Sequence, residues 1–245
     1  MGYDITNKVI LVTGANRGIG KVVLESFIEH GAAKVYAAVR KIDTVKSLVD
    51  KYGEKVVPLM IDVMDSTSIY EAAKIAKDVN IVINNAGVLK AEEVLTEKII
   101  DSLEFHMKTN VYGLITMAKA FAPILKMNGG GVFCQLNSIA SMKGYADFAG
   151  YCASKAASYS ITQSLKESLD KQGTRVLSIH PGPIATDMVD VINLTEIAEP
   201  PILVAEALLE ALKGDAFHVF PDSVAKKVGE AYQSFSKNVI ESDIL

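Results

Sequence analysis

The chain has 245 residues, of which 49% are hydrophobic and 22% are charged, and this usage excludes disordered, collagen-like and low-complexity proteins. Twenty-five basic residues against 29 acidic residues give a net charge of −4 without a long block of one sign, so no nucleic-acid partner is expected. The two cysteines, Cys134 and Cys152, form neither a disulfide framework nor a zinc-binding spacing. No apolar stretch is long enough to span a bilayer. We therefore expect a cytoplasmic protein without a metal site or a membrane span.

Short β-branched segments alternate with longer segments of helical periodicity along most of the chain. The predicted strands are residues 8–13, 34–39, 56–61, 80–84, 131–137, 175–180 and 216–220. The main helical patterns cover residues 19–30, 66–77, 96–125, 151–170 and 201–212. Each is too long for a hairpin connection, which indicates parallel β-α-β units, and strand runs that are apolar throughout indicate helices on both faces of the sheet. Since no linker interrupts this rhythm, the sequence predicts one doubly wound α/β domain over residues 1–245, with seven parallel strands.

Two segments depart from the rhythm. Residues 187–200 follow a Pro-Gly-Pro turn, lack a clean period and carry four acidic residues but no basic one, namely Asp187, Asp190, Glu196 and Glu199. After the seventh strand, apolar side chains recur at helical spacing, at Val224, Val228, Tyr232, Phe235 and Val239. This spacing predicts an amphipathic C-terminal helix, for which docking on the chain's own core is favoured over a partner interface.

The first predicted strand runs directly into a glycine-rich loop over residues 13–20, and a helix follows it. Glycine lets the backbone turn sharply and approach a phosphate group, and the N-terminus of a helix favours an anion. We therefore expect this loop to hold a nucleotide cofactor through Gly14, Asn16, Arg17, Gly18, Ile19 and Gly20. The alternative is a tight turn with close packing of helix on strand and no ligand.

The end of the second strand carries Arg40 and Lys41 about twenty residues beyond this loop. An NAD-binding chain usually has an acidic residue there, which would repel the 2′-phosphate of NADP, whereas a guanidinium matches phosphate oxygens. Arg40 together with Arg17 therefore favours NADP, the alternative being two solvated surface charges. Nearby Asp43 is interpreted as the N-cap of the next helix.

Polar and small residues also follow the third and fourth strands, at the edge where parallel sheets bind ligands. Asp62 and Val63 follow the third strand, and residues 84–87 after the fourth read Asn-Asn-Ala-Gly. We expect Asp62 to accept a hydrogen bond from the adenine amino group, and the cofactor to pass close to Asn85, Ala86 and Gly87. The alternatives are a helix cap for Asp62 and a simple turn for the Asn pair.

Tyr151 and Lys155 lie four residues apart on a predicted helix and therefore face the same side, where an ammonium group favours the ionised form of a phenol. Tyr70 and Lys74 have the same spacing, so spacing alone identifies neither pair. Ser138 decides between them, because it follows the fifth strand at the ligand edge, thirteen residues before Tyr151. We interpret Tyr70 as helix surface, and Cys152, about 100° around the helix from Tyr151, as core.

Taken together, the glycine loop, residues 84–87, Ser138, Tyr151 with Lys155, and Pro181-Gly182 after the sixth strand resemble the short-chain dehydrogenase/reductase family over nearly the whole chain. The resemblance implies a Rossmann-type three-layer sandwich, an NADP(H) cofactor and a catalytic tetrad of Asn110, Ser138, Tyr151 and Lys155. It further implies that Asn110 helps to hold a water beside Lys155; the alternative is a mid-helix Asn that bonds to its local backbone. The cofactor contacts implied after the sixth strand are Pro181, Gly182, Ile184 and Thr186.

The implied chemistry is hydride transfer between the nicotinamide and a carbonyl carbon, with Tyr151 as proton donor and Ser138 at the substrate oxygen. Lys155 and the oxidised nicotinamide are expected to lower the pKa of Tyr151. The substrate pocket is expected to comprise the segment 187–200 and the apolar residues Val88, Leu89, Ile139, Met142, Tyr145 and Phe148. Acidic charge in that segment favours a neutral ketone, aldehyde or secondary alcohol. The alternatives are a 3-oxoacyl thioester reductase and a non-enzymatic NADPH sensor.

The segments 96–125 and 151–170 resemble the helix pair through which members of this family dimerise, so a homodimer is expected. Many tetrameric members end in a short apolar strand and a glycine-rich tail. Here residues 217–222 lead into a further helix instead, which makes a tetramer the less favoured assembly.

Overall fold

The computed structural model describes residues 2–191 and 194–242. Its centre is a sheet of seven parallel strands in the order β3-β2-β1-β4-β5-β6-β7. The strands are β1 Val9–Thr13, β2 Lys34–Val39, β3 Val56–Met60, β4 Ile81–Asn84, β5 Val132–Leu136, β6 Arg175–Ile179 and β7 His218–Val219. The predicted seven-stranded parallel sheet is confirmed, and only the seventh strand is much shorter than predicted.

Helices cover both faces of this sheet, as its apolar strands require. They are α1 Gly18–Glu29, α2 Lys46–Tyr52, α3 Ser66–Ile75, α4 Ile99–His106, α5 Gly113–Met127, α6 Ala149–Asp170, α7 Asp187–Asp190, α8 Ile202–Lys213 and α9 Ser223–Phe235. The single helix predicted over residues 96–125 is divided, because a π-helical turn, Met107–Tyr112, separates α4 from α5. In the part of the chain that the structure describes, no helix combines the length and the apolar character that crossing a bilayer demands.

Two apolar layers hold the helices to the sheet, since successive side chains of a strand point to opposite faces. In β1, Ile10 and Val12 belong to one buried cluster together with Phe27 of α1. Leu11 belongs to the cluster on the other face, which includes Phe121 of α5. Each large side chain buried in this way contributes about 1.5–3 kcal/mol. The predicted three-layer sandwich is therefore confirmed.

The strand order creates a crevice beside β1. β1 pairs with β2 on one side and with β4 on the other, so the chain crosses the sheet after β3 and the loops after β1 and β4 separate. Ligands of open parallel sheets bind at the carboxyl ends of the strands at this point. The fold thus directs the glycine-rich loop, residues 84–87 and Ser138 toward one edge.

The predicted helix cap at Asp43 is wrong, and the alternative cap at Asp62 is not observed either. Asp43 lies inside a 3-10 turn, Ile42–Val45, and α2 begins after it without a side-chain cap. Asp62, for which a cap was the alternative role, accepts a hydrogen bond from the N–H of Met64 at 3.0 Å, while Asp65 caps α3. The Asp adjacent to the first helical residue takes this role, because only there does its carboxylate reach the unpaired N–H groups of the first turn.

The predicted C-terminal helix exists, and its two halves differ in packing. Tyr232 packs against the core cluster that contains Leu11, and Val224 and Val228 are partly buried. Phe235 and Val239, however, are 50% and 40% exposed. Docking on the chain's own core is therefore confirmed for the first part of the predicted apolar face and wrong for its last two positions.

Candidate active site

A cleft of about 1100 Å³ opens at the carboxyl edge of the sheet, between the loops that follow β1 to β6 and the first turn of α9. All the predicted cofactor and catalytic residues line it except two, Gly20 and Asn110. Of the residues predicted for the substrate pocket outside the segment 187–200, Met142 alone does not line the cleft, because it packs against the core cluster that contains Leu11. The sheet edge thus brings together side chains that are far apart in sequence.

The glycine-rich loop is shaped by backbone contacts that exclude side chains. Gly14 and Gly18 have φ angles of +66° and +52°, which L-residues with side chains rarely adopt. A Cβ on Gly20 would lie 2.3 Å from the backbone oxygen of Gly14, so Gly20 permits close packing of α1 on the loop. No side chain caps α1 and its first turn holds no acidic residue. Its free N–H groups therefore fit the phosphates of a dinucleotide.

The two arginines at this end of the cleft have different surroundings. Arg40 is exposed at the end of β2 and lines the cleft beside Lys41. Arg17 forms an exposed ion pair with Asp187, across the mouth of the cleft. Because both guanidinium groups line the cleft, both remain available to a phosphate, although Arg17 must exchange its carboxylate partner.

Residues 84–87 do more than form a turn. The Oγ1 of Thr13 accepts the N–H groups of Asn85 and Ala86, both at 2.9 Å, and the Asn85 side chain donates to the backbone oxygen of Thr13 at 2.8 Å. Asn84 is buried and donates to Gln135 at 2.7 Å. The Asn pair therefore joins the loop after β4 to β1 and β5, and the interpretation as a simple turn is wrong. Local sequence carried no signal for these contacts, which join residues 51 to 73 positions apart.

The reaction end of the cleft combines a phenol, a hydroxyl and an amine. Ser138 caps a short turn by accepting the N–H of Ala140 at 3.1 Å, and its hydroxyl is near enough to the buried Tyr151 to act on the pKa of the phenol. The Nζ of Lys155 lies 5.8 Å from the centre of the Tyr151 ring and donates to the backbone oxygen of Leu136 at 2.7 Å. α6 presents Tyr151 and Lys155 on one face, and β5 delivers Ser138 to them. One substrate oxygen between Ser138 and Tyr151 would therefore contact both hydroxyl groups.

Burial dominates the ionisation of this cluster. It raises the pKa of Tyr151 to about 12, although the neighbouring Ser138 hydroxyl acts in the opposite direction. Burial also lowers the pKa of Lys155 to about 8. The expectation assigned the lowering of the Tyr151 pKa jointly to Lys155 and an oxidised nicotinamide. In the protein by itself, desolvation of the phenol outweighs every opposing contribution, and the joint lowering by Lys155 and an oxidised nicotinamide stays a prediction.

Asn110 lies in the π-helical turn, near Lys155. Its side chain pairs with the backbone of Val88, accepting the N–H at 3.0 Å and donating to the oxygen at 3.1 Å, and it donates to Ser154 at 2.9 Å. The alternative of bonding to its local backbone is therefore wrong. A Cβ on Gly87 would lie 3.2 Å from the Asn110 oxygen and 3.8 Å from the Lys155 Nζ. Glycine there keeps the space between these two groups open.

His106 is a buried contact of the site that the sequence did not reveal. Its Nε2 accepts the N–H of Lys90 at 3.0 Å, and its Nδ1 donates to the backbone oxygen of Ser102 at 2.6 Å. The imidazole packs edge-on against the Tyr151 ring, with centroids 6.0 Å apart. Burial lowers the pKa of His106, so a neutral ring joins the loop after β4 to the phenol. A lone histidine inside the predicted helix 96–125 gave no hint of this contact.

The interpretation of the alternative pair, Tyr70 and Lys74, is confirmed. Tyr70 is 41% exposed, and Lys74 forms an ion pair with Glu71 on the same helix. Cys152 is buried, and burial raises its thiol pKa, which agrees with a role in the core. Among residues 2–191 and 194–242, no group of His, Cys, Asp and Glu side chains is arranged to hold a metal ion.

Two of the four acidic side chains in the segment 187–200 are hydrogen-bonded to neighbouring parts of the fold. Asp190 accepts a hydrogen bond from Thr195 at 3.1 Å, and Glu199 accepts the N–H of Ser223 at 2.8 Å. Of the four acidic residues, only Asp187 lines the cleft. Positions 192 and 193 of this segment lie outside the described residues. The electrostatic case against an anionic substrate therefore depends on fewer charges than the sequence suggested.

With this geometry in place, comparison with known proteins identifies the class. Residues 8–197 match the family described as short chain dehydrogenase, and the chain belongs to that family, as its motifs predicted. It is an oxidoreductase that acts on CH–OH or C=O groups.

Two curated relatives and one solved structure illustrate the similarity. An NADP-dependent 3-hydroxy acid dehydrogenase of Schizosaccharomyces pombe (strain 972) is 32% identical over 75% of this chain and 74% of its own length. An uncharacterized oxidoreductase of Staphylococcus aureus (strain USA300) is 33% identical over 85% of this chain and 92% of its own. A short chain dehydrogenase from Burkholderia cenocepacia J2315, solved in complex with NADP, has a TM-score of 0.87 and 33% identity, and the match covers 96% of this chain and 98% of that one.

Proposed function

We propose that this oxidoreductase uses NADP(H) to interconvert a neutral ketone or aldehyde and the corresponding alcohol. The observation that carries the proposal is the distribution of charge in the cleft. Among the described residues that line it, the basic side chains at the nucleotide end are Arg17, Arg40 and Lys41, whereas the reaction end has Lys155 alone. A phosphorylated cofactor fits the first end, and an uncharged carbonyl group fits the second.

The residues present fit NADP(H) as a cofactor. The glycine loop and the N-terminus of α1 would hold the pyrophosphate, Arg40 and Arg17 the 2′-phosphate, and Asp62 with Val63 the adenine. Residues 85–87 and 181–186 would border the ribose and nicotinamide. Gly20 does not line the cleft and would act indirectly, by allowing α1 to pack closely on the glycine loop. When bound, the cofactor supplies or accepts the hydride. NADP in the structure of the Burkholderia relative supports this assignment.

The chain's own part in the reaction is proton transfer and orientation. In reduction, Tyr151 donates its proton to the developing alkoxide, and Ser138 donates a hydrogen bond to the same oxygen. The Tyr151 pKa of about 12 keeps the phenol protonated at neutral pH, as a proton donor requires. Lys155 is cationic below its pKa of about 8, so it stabilises the phenolate that remains. Asn110, fixed by Val88 and Ser154, is proposed to hold a water beside Lys155 for proton return.

Apolar residues dominate the reaction end of the cleft. Phe148 and Tyr145 stack with their ring centroids 5.2 Å apart, and Leu89 packs against the same cluster. Asp147, between Tyr145 and Phe148 in the sequence, and Asp187, at the mouth of the cleft, also line it. An anionic substrate would meet these carboxylates, so a neutral and largely apolar substrate is favoured.

A panel of substrates tests this assignment. NADPH consumption should be observed with neutral aliphatic and aromatic ketones or aldehydes, and should be at least about tenfold slower at equal concentration with 3-oxoacyl thioesters. Because the Schizosaccharomyces relative is named a 3-hydroxy acid dehydrogenase, the third part of the panel tests the oxidation of 3-hydroxy acids with NADP⁺. Activity confined to the thioesters or the hydroxy acids would overturn the neutral-substrate assignment, and NADPH binding without any turnover would favour the sensor alternative.

We further propose a homodimer in the cytoplasm. The outward face of α6 carries small exposed residues, including Ala153, Ala156 and Ser160, which permit close approach of a second helix pair. Both cysteines are free and buried, as in a reducing compartment. Light scattering should give twice the chain mass of 26.4 kDa; the monomer mass at micromolar concentration would refute the dimer.

A further inference from the structure

The hydrogen-bond ladder between β6 and the segment that follows α8 continues beyond β7 through a side chain. The N–H of Ser178 donates to Phe217 O and that of His180 to Val219 O, both at 2.8 Å. At the next step, the N–H of Gly182 donates to Oδ2 of Asp222 at 2.7 Å. The carboxylate therefore takes the role that backbone carbonyls have in the two preceding steps.

Asp222 is almost completely buried, with 1% of its surface exposed. Its second oxygen, Oδ1, accepts the N–H of Ala225 at 2.9 Å and caps α9. A buried carboxylate is costly unless its oxygens are hydrogen-bonded, and here two backbone N–H groups meet that need. A Cβ on Gly182 would lie 2.5 Å from Oδ1, so the glycine after Pro181 is what allows the carboxylate to approach the loop.

The peptide unit that Asp222 holds also contacts the reaction end of the cleft. The N–H of Gly182 and the carbonyl of Pro181 belong to one planar group. That carbonyl accepts the N–H of Ile139 at 3.0 Å and the hydroxyl of Ser138 at 3.4 Å. One peptide therefore connects Asp222 to Ser138, and a carboxylate on its N–H side strengthens its carbonyl as an acceptor. Ile184 and Thr186, in the same loop, line the cleft.

We propose that Asp222 is a positioning residue of the active site, which fixes Ser138 and the 181–186 loop through the Pro181–Gly182 peptide. This inference rests on the proposed function, because the loop is assigned to the nicotinamide end of the cofactor. It also gives a role to the C-terminal helix: Asp222 caps α9, and the first turn of α9 supplies Val224 to the cleft wall. The anchor thus joins the end of the chain to the reaction centre.

The test is Asp222→Asn, with binding and turnover measured separately. Asn caps helices as well as Asp does, so the bond to Ala225 is retained, whereas an amide nitrogen in place of Oδ2 cannot accept from Gly182. We expect kcat to fall about ten- to hundredfold, because a small misplacement of reacting groups causes a rate loss of this size. NADPH affinity should fall about fivefold or more, while the affinity for adenosine 2′,5′-bisphosphate, which lacks the nicotinamide, should stay within about twofold.

Asp65→Asn is the matched control, because Asp65 caps α3 through Thr67 alone and does not line the cleft. It should change neither affinity nor kcat. If Asp222→Asn does not fold, Asp222→Ser keeps a capping oxygen that is too short to reach Gly182, and the same measurements apply. Equal weakening of NADPH and the bisphosphate, or unchanged kcat, would overturn the proposal. A wild-type protein that binds neither ligand would instead refute the proposed function.

Discussion

The two ends of the cleft are built in different ways. The nucleotide end consists of backbone groups at the start of α1, glycines that exclude side chains, and two arginines at the surface. The reaction end consists of buried side chains that meet across the fold, such as Asn110 and Ser154, 44 residues apart. We therefore expect cofactor binding at the nucleotide end to depend on side-chain size and surface charge. At the reaction end, we expect turnover to depend on single side-chain atoms.

The largest expected effect lies at the reaction end. Tyr151→Phe removes one oxygen from a buried ring and, with it, the proposed proton donor. Turnover should fall about 10²- to 10⁴-fold, the range for general acid catalysis, while the NADPH dissociation constant stays within about threefold. Stopped-flow or steady-state NADPH consumption measures the first quantity and fluorescence titration the second.

Tyr70→Phe is the control for this change, because Tyr70 has the same spacing to a lysine but lies on an exposed helix surface. It should leave both quantities unchanged. Retention of most of the turnover in Tyr151→Phe would remove the catalytic role of the phenol and leave a nucleotide-binding protein.

At the nucleotide end, Arg40→Ala should weaken NADPH binding about ten- to hundredfold, as the loss of a charge-assisted hydrogen bond to a phosphate does. NADH, which lacks the 2′-phosphate, should bind with nearly unchanged affinity. Isothermal titration with both cofactors measures the difference, and Lys55→Ala, on the surface away from the cleft, is the control. Equal losses for NADPH and NADH would show that Arg40 does not determine cofactor preference.

Gly20→Ala should distort the nucleotide end through backbone packing alone. The new Cβ would lie 2.3 Å from the Gly14 oxygen and 2.6 Å from the Asn85 side chain. Overpacking of this kind costs about 1–3 kcal/mol, so the free energy of unfolding should fall by that amount and NADPH affinity with it. Gly144→Ala, where no atom lies within 4 Å of the added carbon, should show neither change. Urea denaturation measures the free energy of unfolding. If the value for Gly20→Ala equals that of the wild type, the packing account is contradicted.

This contrast also explains what could be predicted from the sequence. The sheet, the glycine loop and Arg40 follow from local patterns, because apolar runs, glycines and strand ends act over a few residues. Tyr151, Lys155 and Ser138 were separated from the pair Tyr70 and Lys74 by position relative to predicted strands and by the family resemblance.

The contacts of His106 and Asp222 with the site could not be predicted, since each depends on side chains that meet only after distant segments pack. The raised pKa of Tyr151 in the protein by itself could not be predicted for a related reason. The spacing to Lys155 was visible in the sequence, but the extent of burial, which outweighs the ammonium, depends on the whole fold.

The smallest expected effect concerns the ion pair between Arg17 and Asp187, which connects the two ends at the mouth of the cleft. Both side chains are largely exposed, at 69% and 73%, so water and salt screen their attraction and such pairs contribute little. Asp187→Asn frees Arg17 for a phosphate and should therefore tighten NADPH binding by about two- to threefold at low salt. The gain should vanish near 1 M salt, where the Debye length is about 3 Å. Asp190→Asn, whose carboxylate accepts from Thr195 instead, should leave the affinity unchanged. Weaker NADPH binding in Asp187→Asn would mean that the ion pair of Arg17 and Asp187 shapes the cleft for the cofactor, and that Asp187 does not compete with the phosphate for Arg17. The two ends of the cleft would then be coupled through this surface ion pair as well as through the sheet.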